Sequence, residues 1–119
     1  MFKVLTTVFA IALAGLSSFS TAADAGAVAS GTFTGASNHI TTGGVEVIKN
    51  DDGSHTVVLA ADFSLDGAPD PRVGFGKDGT YDNATGMGLL KSMNGKQSFT
   101  VPAGVAQAAY NEIYIWCLE

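Results

Sequence analysis

From Ala23 onward, no stretch repeats its apolar residues at helical spacing for more than a turn or two. Short β-rich runs occur instead, each closed by residues that turn the chain, and this commits the chain to an antiparallel all-β fold. Gly31 to Asn38 reads as a first strand with Phe33 pointing inward. Val45 to Lys49 and Thr56 to Phe63 flank Asn50-Asp51-Asp52-Gly53-Ser54, a loop of hairpin length. In the second arm Val57, Leu59, Ala61 and Phe63 share one face at period two. Asp66 to Pro71 is a turn segment, Arg72 to Phe75 a short strand, and Lys77 to Thr85 a polar loop. Leu89 to Met93 and Gln97 to Val101 flank Asn94-Gly95, the strongest hairpin signal in the chain. Pro102 to Ala109 reads as a loop or short helical turn, and Ile113 to Leu118 as the last strand. The expected architecture is one antiparallel β-sandwich of about seven strands.

The last strand is apolar on both faces, with Ile113, Ile115 and Cys117 on one and Tyr114, Trp116 and Leu118 on the other. Such a strand is expected to be covered on both sides.

The N-terminus has the order of a secretory leader. Lys3 is followed by an apolar stretch, Val4 to Leu16, and then by small residues with Ser20 and Ala22 at the −3 and −1 places. Cleavage after Ala25, with Ala23 at −3, is the near alternative. The stretch falls short of the roughly 20 residues that span a bilayer. Residues 1–22 are therefore expected to be a helical signal peptide. Residues 23–119 are the domain, with a periplasmic or secreted location, and the membrane is met only during export. The net charge is −5, and losing the leader removes Lys3 and no acid. An acidic domain repels phosphates and anionic lipid heads, which excludes nucleic acid as a partner.

Gly74 to Gly79 matches G-x-G-x-x-G, but no amphipathic helix follows, so these glycines read as turn residues rather than a nucleotide cradle. Asp51, Asp52, Asp66, Asp70, Asp78 and Asp82 lack the order of a calcium loop and read as turn residues. Asn83-Ala84-Thr85 matches a glycosylation acceptor by chance composition. His55 reads as a solvated residue at a hairpin shoulder. There is no G-x-S-x-G and no metal-ligand spacing, so neither a triad hydrolase nor any other stand-alone enzyme has support.

Cys117 is the only cysteine, so no internal disulfide can staple the fold. A lone thiol in an exported chain can bridge two molecules, react, ligate a prosthetic group, or lie buried and inert, and the face Cys117 shares with Ile113 and Ile115 favours the buried, poorly ionised thiol. His39, beside Asn38 and Ile40, is either a hydrogen-bonded residue or a ligand.

The order Gly31-x-Phe33, His39 before Gly43-Gly44, Asp62-Phe63, Pro69-Asp70, Leu89-Leu90-Lys91, Gly95-x-Gln97-x-Phe99, Pro102 and Tyr114-Ile115-Trp116-Cys117 resembles the DM-thirteen family. These are the electron transfer domains of bacterial envelope proteins and of animal cell-surface proteins that carry DOMON domains. The resemblance implies a β-sandwich and redox chemistry at Cys117, as a free thiol or as a haem ligand, with His39 at the position of a recurrent histidine. It also implies a redox or cell-envelope protein partner, or a disulfide-linked dimer through Cys117. Members usually continue past the Trp-Cys pair with an apolar, glycine-containing finish. Its absence here makes the domain look truncated at its C-terminus and leaves Cys117 expected to be exposed. The competing reading is a non-catalytic binding or adhesion module with a structural cysteine.

Overall fold

The computed structural model describes the backbone of residues 2–11, 26–35 and 39–117, and the side chains of the last two ranges. Among the described residues there are ten strands, all paired antiparallel, and the longer ones follow the alternation of apolar and polar residues. They are β1 (Phe2–Ile11), β2 (Ala27–Gly35), β3 (Thr41–Thr42), β4 (Gly44–Lys49), β5 (His55–Leu59), β6 (Ser64–Leu65), β7 (Pro71–Lys77), β8 (Thr80–Tyr81), β9 (Gln97–Thr100) and β10 (Glu112–Cys117). Eight form one sheet in the order β8-β7-β10-β1-β2-β4-β5-β9, and β3 pairs with β6 as a separate ribbon. Single 3₁₀ turns occupy Asn83–Thr85 and Gln107–Ala109.

The sheet curls back on itself. Val73 and Phe75 of β7 and Ile113 and Ile115 of β10 share one core with Phe33 of β2, Val45 and Val47 of β4, Val57 and Leu59 of β5 and Phe99 of β9. The strands β8-β7-β10 thus face β2-β4-β5-β9 across the core, and β1 joins the two layers. Burying each such side chain contributes about 1.5–3 kcal/mol, and these contacts stand in for the missing cross-link. The β4–β5 hairpin forms as its loop predicts. The Asn50 N–H donates to Ser54 O at 2.8 Å, Asp52 Oδ1 accepts from Ser54 N–H at 3.0 Å, and Gly53 takes φ 91°.

β10 is covered on both faces, as its composition demands. Ile113, Ile115 and Cys117 point into the core, and Tyr114 is buried on the outer face under the rings of Tyr81 and Trp116. The G-x-G pair explains this packing. Gly74 and Gly76 lie in β7, opposite Tyr114 and Glu112, and a Cβ on Gly76 would stand 2.3 Å from Tyr114 Cε1. A Cβ on Gly74 would stand 2.7 Å from Tyr81 Cε1. The glycines are a floor for two rings, within a strand rather than a phosphate loop.

Three expectations need correction. Residues 2–11, expected to be helical, form β1; Thr6, Thr7 and Val8 are β-branched, and the backbone gap between β2 and β10 supplies ladders on both sides. Residues 12–25, which hold the rest of the expected leader, lie outside the described residues, as do residues 36–38 of the expected first strand and Leu118 of the expected last one. Asn94-Gly95 does not join a hairpin. Gln97–Thr100 pairs with β5, while Leu89 and Asn94 make only single bridges to Arg72 and Ser64. The buried Gln97 amide accepts from the N–H groups of Lys91 and Ser92 at 2.9 and 3.2 Å and donates to Ser92 O at 2.8 Å, which satisfies that segment without a ladder. Finally, Thr56 to Phe63 is not one strand: β5 ends at Leu59, Ala61 is exposed, and the chain turns before Ser64–Leu65 pairs with β3.

Candidate functional site

Cys117 ends β10, and alternation turns it inward with Ile113 and Ile115. Its backbone lies between Pro71 of β7 and Phe2 of β1. The residue is 0% exposed, in keeping with the face it shares with Ile113 and Ile115 and against the exposure that a truncation implies: strands flank it on both edges and the core covers its side chain. Burial, with a smaller contribution from the charge of Asp70, pushes the thiol up to about 11. Near neutral pH Cys117 is therefore a thiol, and the nucleophilic thiolate is withheld while the strands stay in place.

Asp70 adopts φ 47° and turns the chain into Pro71. Left-handed backbone suits Asp, whose short side chain tolerates it.

His39 sits on the rim. Its Nδ1 lies 3.1 Å from Asp66 Oδ1, while Asp66 Oδ2 accepts from the Ile40 N–H at 3.0 Å. The Asp66 N–H returns a bond to Ile40 O at 3.0 Å. The Ile40 N–H first, and His39 second, hold the Asp66 carboxyl below the usual range. His39 also borders an open recess of ≈ 480 Å³ with Phe33, Thr34, Gly35 and Ile40. The ladders Gly35–Leu5 and Leu5–Ile115 put this rim and Cys117 at the same end of the sheet. Their surroundings differ, however: Cys117 belongs to the core, and His39 pairs with Asp66 outside it. Sequence alone could not pair His39 with Asp66, because the β3–β6 ribbon brings them together across the fold.

These residues do not fit a haem as they stand. An iron ligand needs a thiolate sulfur open toward a slot that admits the ring. Cys117 is enclosed and protonated, and it lines neither that recess nor the ≈ 510 Å³ groove beside Glu46 and Lys96. Among the described residues no group of three or more His, Cys, Asp or Glu side chains is placed to share a metal ion.

The remaining acids do the work of turns. Asp82 Oδ1 caps the 3₁₀ turn Asn83–Thr85 through the Ala84 N–H at 2.9 Å, and its Oδ2 accepts from Tyr110 OH at 2.6 Å. Asp78 and Asn111 exchange two hydrogen bonds. Thr85 of the Asn83-Ala84-Thr85 motif is buried, with Oγ1 accepting from the Phe75 N–H at 2.7 Å.

One feature escapes a reading of the residues in order. Across the outer face from Cys117, Trp116 stacks on Tyr81 at 4.5 Å, Tyr114 packs against both, and Arg72 stands opposite Trp116 in the ladder. The apolar outer face of the last strand and the glycines Gly74 and Gly76 of β7 were its signals in the sequence, and Tyr81 and Arg72 were not foreseen in it.

The family model described as Electron transfer DM13 matches residues 32–119. No curated relative and no solved structure matches the chain.

Proposed function

Since the chain belongs to the electron transfer DM13 family, we propose that it is an exported electron-transfer accessory domain in which Cys117 exchanges electrons with a protein disulfide. Family membership over nearly all of the domain carries this reading. Its leader, residues 1–22, directs it to the periplasm or exterior, where disulfides persist.

The step is thiol–disulfide exchange. Cys117 loses its proton to solvent, and the thiolate attacks one sulfur of a partner disulfide. A mixed disulfide forms at Cys117 Sγ, and the other partner sulfur leaves as a thiolate. A thiol near 11 is a poor nucleophile at neutral pH, so the step requires the end of β10 to open. His39 lies at that end of the sheet and is a candidate helper when the site opens.

The test follows mixed-disulfide formation by mass spectrometry in a graded glutathione buffer, with the folded full chain and with the chain cut between residues 11 and 26. Reversible addition of one glutathione to the folded protein, absent in Cys117→Ser, supports electron exchange. A cysteine that stays unmodified in both forms until denaturant unfolds them rules it out. The complete burial of Cys117 favours a second reading in that case, a binding or adhesion module with a structural cysteine.

A further inference from the structure

β2 and β10 share no ladder, and the space between them is one strand wide. β1 fills it. Thr6 stands opposite both Thr34 and Tyr114, and Val8 opposite both Thr32 and Glu112. Take β1 away and two strand edges remain, one of them belonging to β10, whose inner face is the centre of the core. Unpaired edges at that position are costly when buried and adhesive when open. Yet β1 lies in the segment whose order marks it for removal on export.

We propose that the gap between β2 and β10 is an acceptor site for an extended strand, and that in the exported domain a partner protein supplies it. The chemistry of the occupant follows from what the gap already holds. It runs antiparallel to both neighbours and carries apolar and β-branched residues, as in Val4-Leu5-Thr6-Thr7-Val8-Phe9, without a charge in the middle. Main-chain ladders on both sides supply affinity, and side chains set register. The inference stands on the ladders and does not depend on Cys117 carrying electrons.

The full chain, with a protease site placed between residues 11 and 26, is cut while folded and mixed with a fluorescent peptide of residues 2–11. Saturable binding by anisotropy is expected, about tenfold weaker or less for a peptide with Thr6→Pro and Val8→Pro, which lacks two ladder N–H groups. If the cut chain unfolds, refolding on addition of the peptide is the same result read by circular dichroism. A cut chain from which the N-terminal fragment has been removed by chromatography, and which then keeps its unfolding midpoint and binds no peptide, overturns the proposal, because β2 and β10 have then closed on each other. A cut chain that dimerises and excludes peptide overturns the partner assignment in favour of a second copy. In the uncut chain, Thr6→Pro with Val8→Pro ejects β1 and opens the gap to peptide; absence of that binding also counts against the site.

Discussion

At Cys117 the folded chain disfavours the thiolate, which links stability to pH. In the unfolded chain the thiol lies near its ordinary 9.0, and in the fold near 11. Below pH 9.0 both states keep the proton and the full stability is present. Between those values only the unfolded chain releases it, so stability falls as pH rises and the contribution is lost above the folded value. Urea midpoints measured across this range should fall more steeply for the native chain than for Cys117→Ala. Tyr81, raised mainly by burial, and Tyr110, raised by its bond to Asp82, remain in both proteins and cancel. Equal slopes would mean that the thiol is accessible in the fold. The inward direction of Cys117 was legible from alternation with Ile113 and Ile115. The strands that flank it were not, because β1 and β7 come from distant parts of the chain.

Among the elements, β7 shows how a motif can mislead. G-x-G-x-x-G has the letters of a phosphate loop, but the first two glycines are paired strand residues with rings laid on them. Gly76→Ala drives a methyl into Tyr114 Cε1 and against Thr80 O, 2.6 Å away, and should cost about 2–3 kcal/mol. Gly53→Ala meets open space, and only its φ of 91° is strained, so about 1 kcal/mol is expected there. Chemical denaturation of the two variants separates ring packing from backbone strain; equal losses would deny the rings their floor. The hairpin at Asn50–Ser54 was readable because all its bonds are local. Asn94-Gly95 was not, because Gln97 supplies side-chain partners to residues 91–95 and the strand that follows goes to β5 instead. Turn residues permit a hairpin, and competition for backbone partners decides it.

For the whole molecule, period-two patterning was enough to indicate an antiparallel β-fold, but not the strand order. Nothing local to β10 says that it lies between β1 and β7. Residues 2–11 are where the sequence and the sheet make rival claims: they read as part of a leader, and they pair as β1. Mass spectrometry of the exported protein should find an N-terminus at Ala23, or at Gly26 for the alternative cleavage. A product that retains residues 2–11 would instead make β1 a permanent strand and refute the removal on which the open gap depends.

The interior place of β10 also bears on when the chain can fold. Phe2 stands opposite Cys117, and β7 waits for the same late strand. Closing contacts between ends so far apart in sequence carries a large loop entropy and makes folding slow. While the chain is still being synthesised, β7 and β8 lack the strand that ties them to the rest, so the core cannot close.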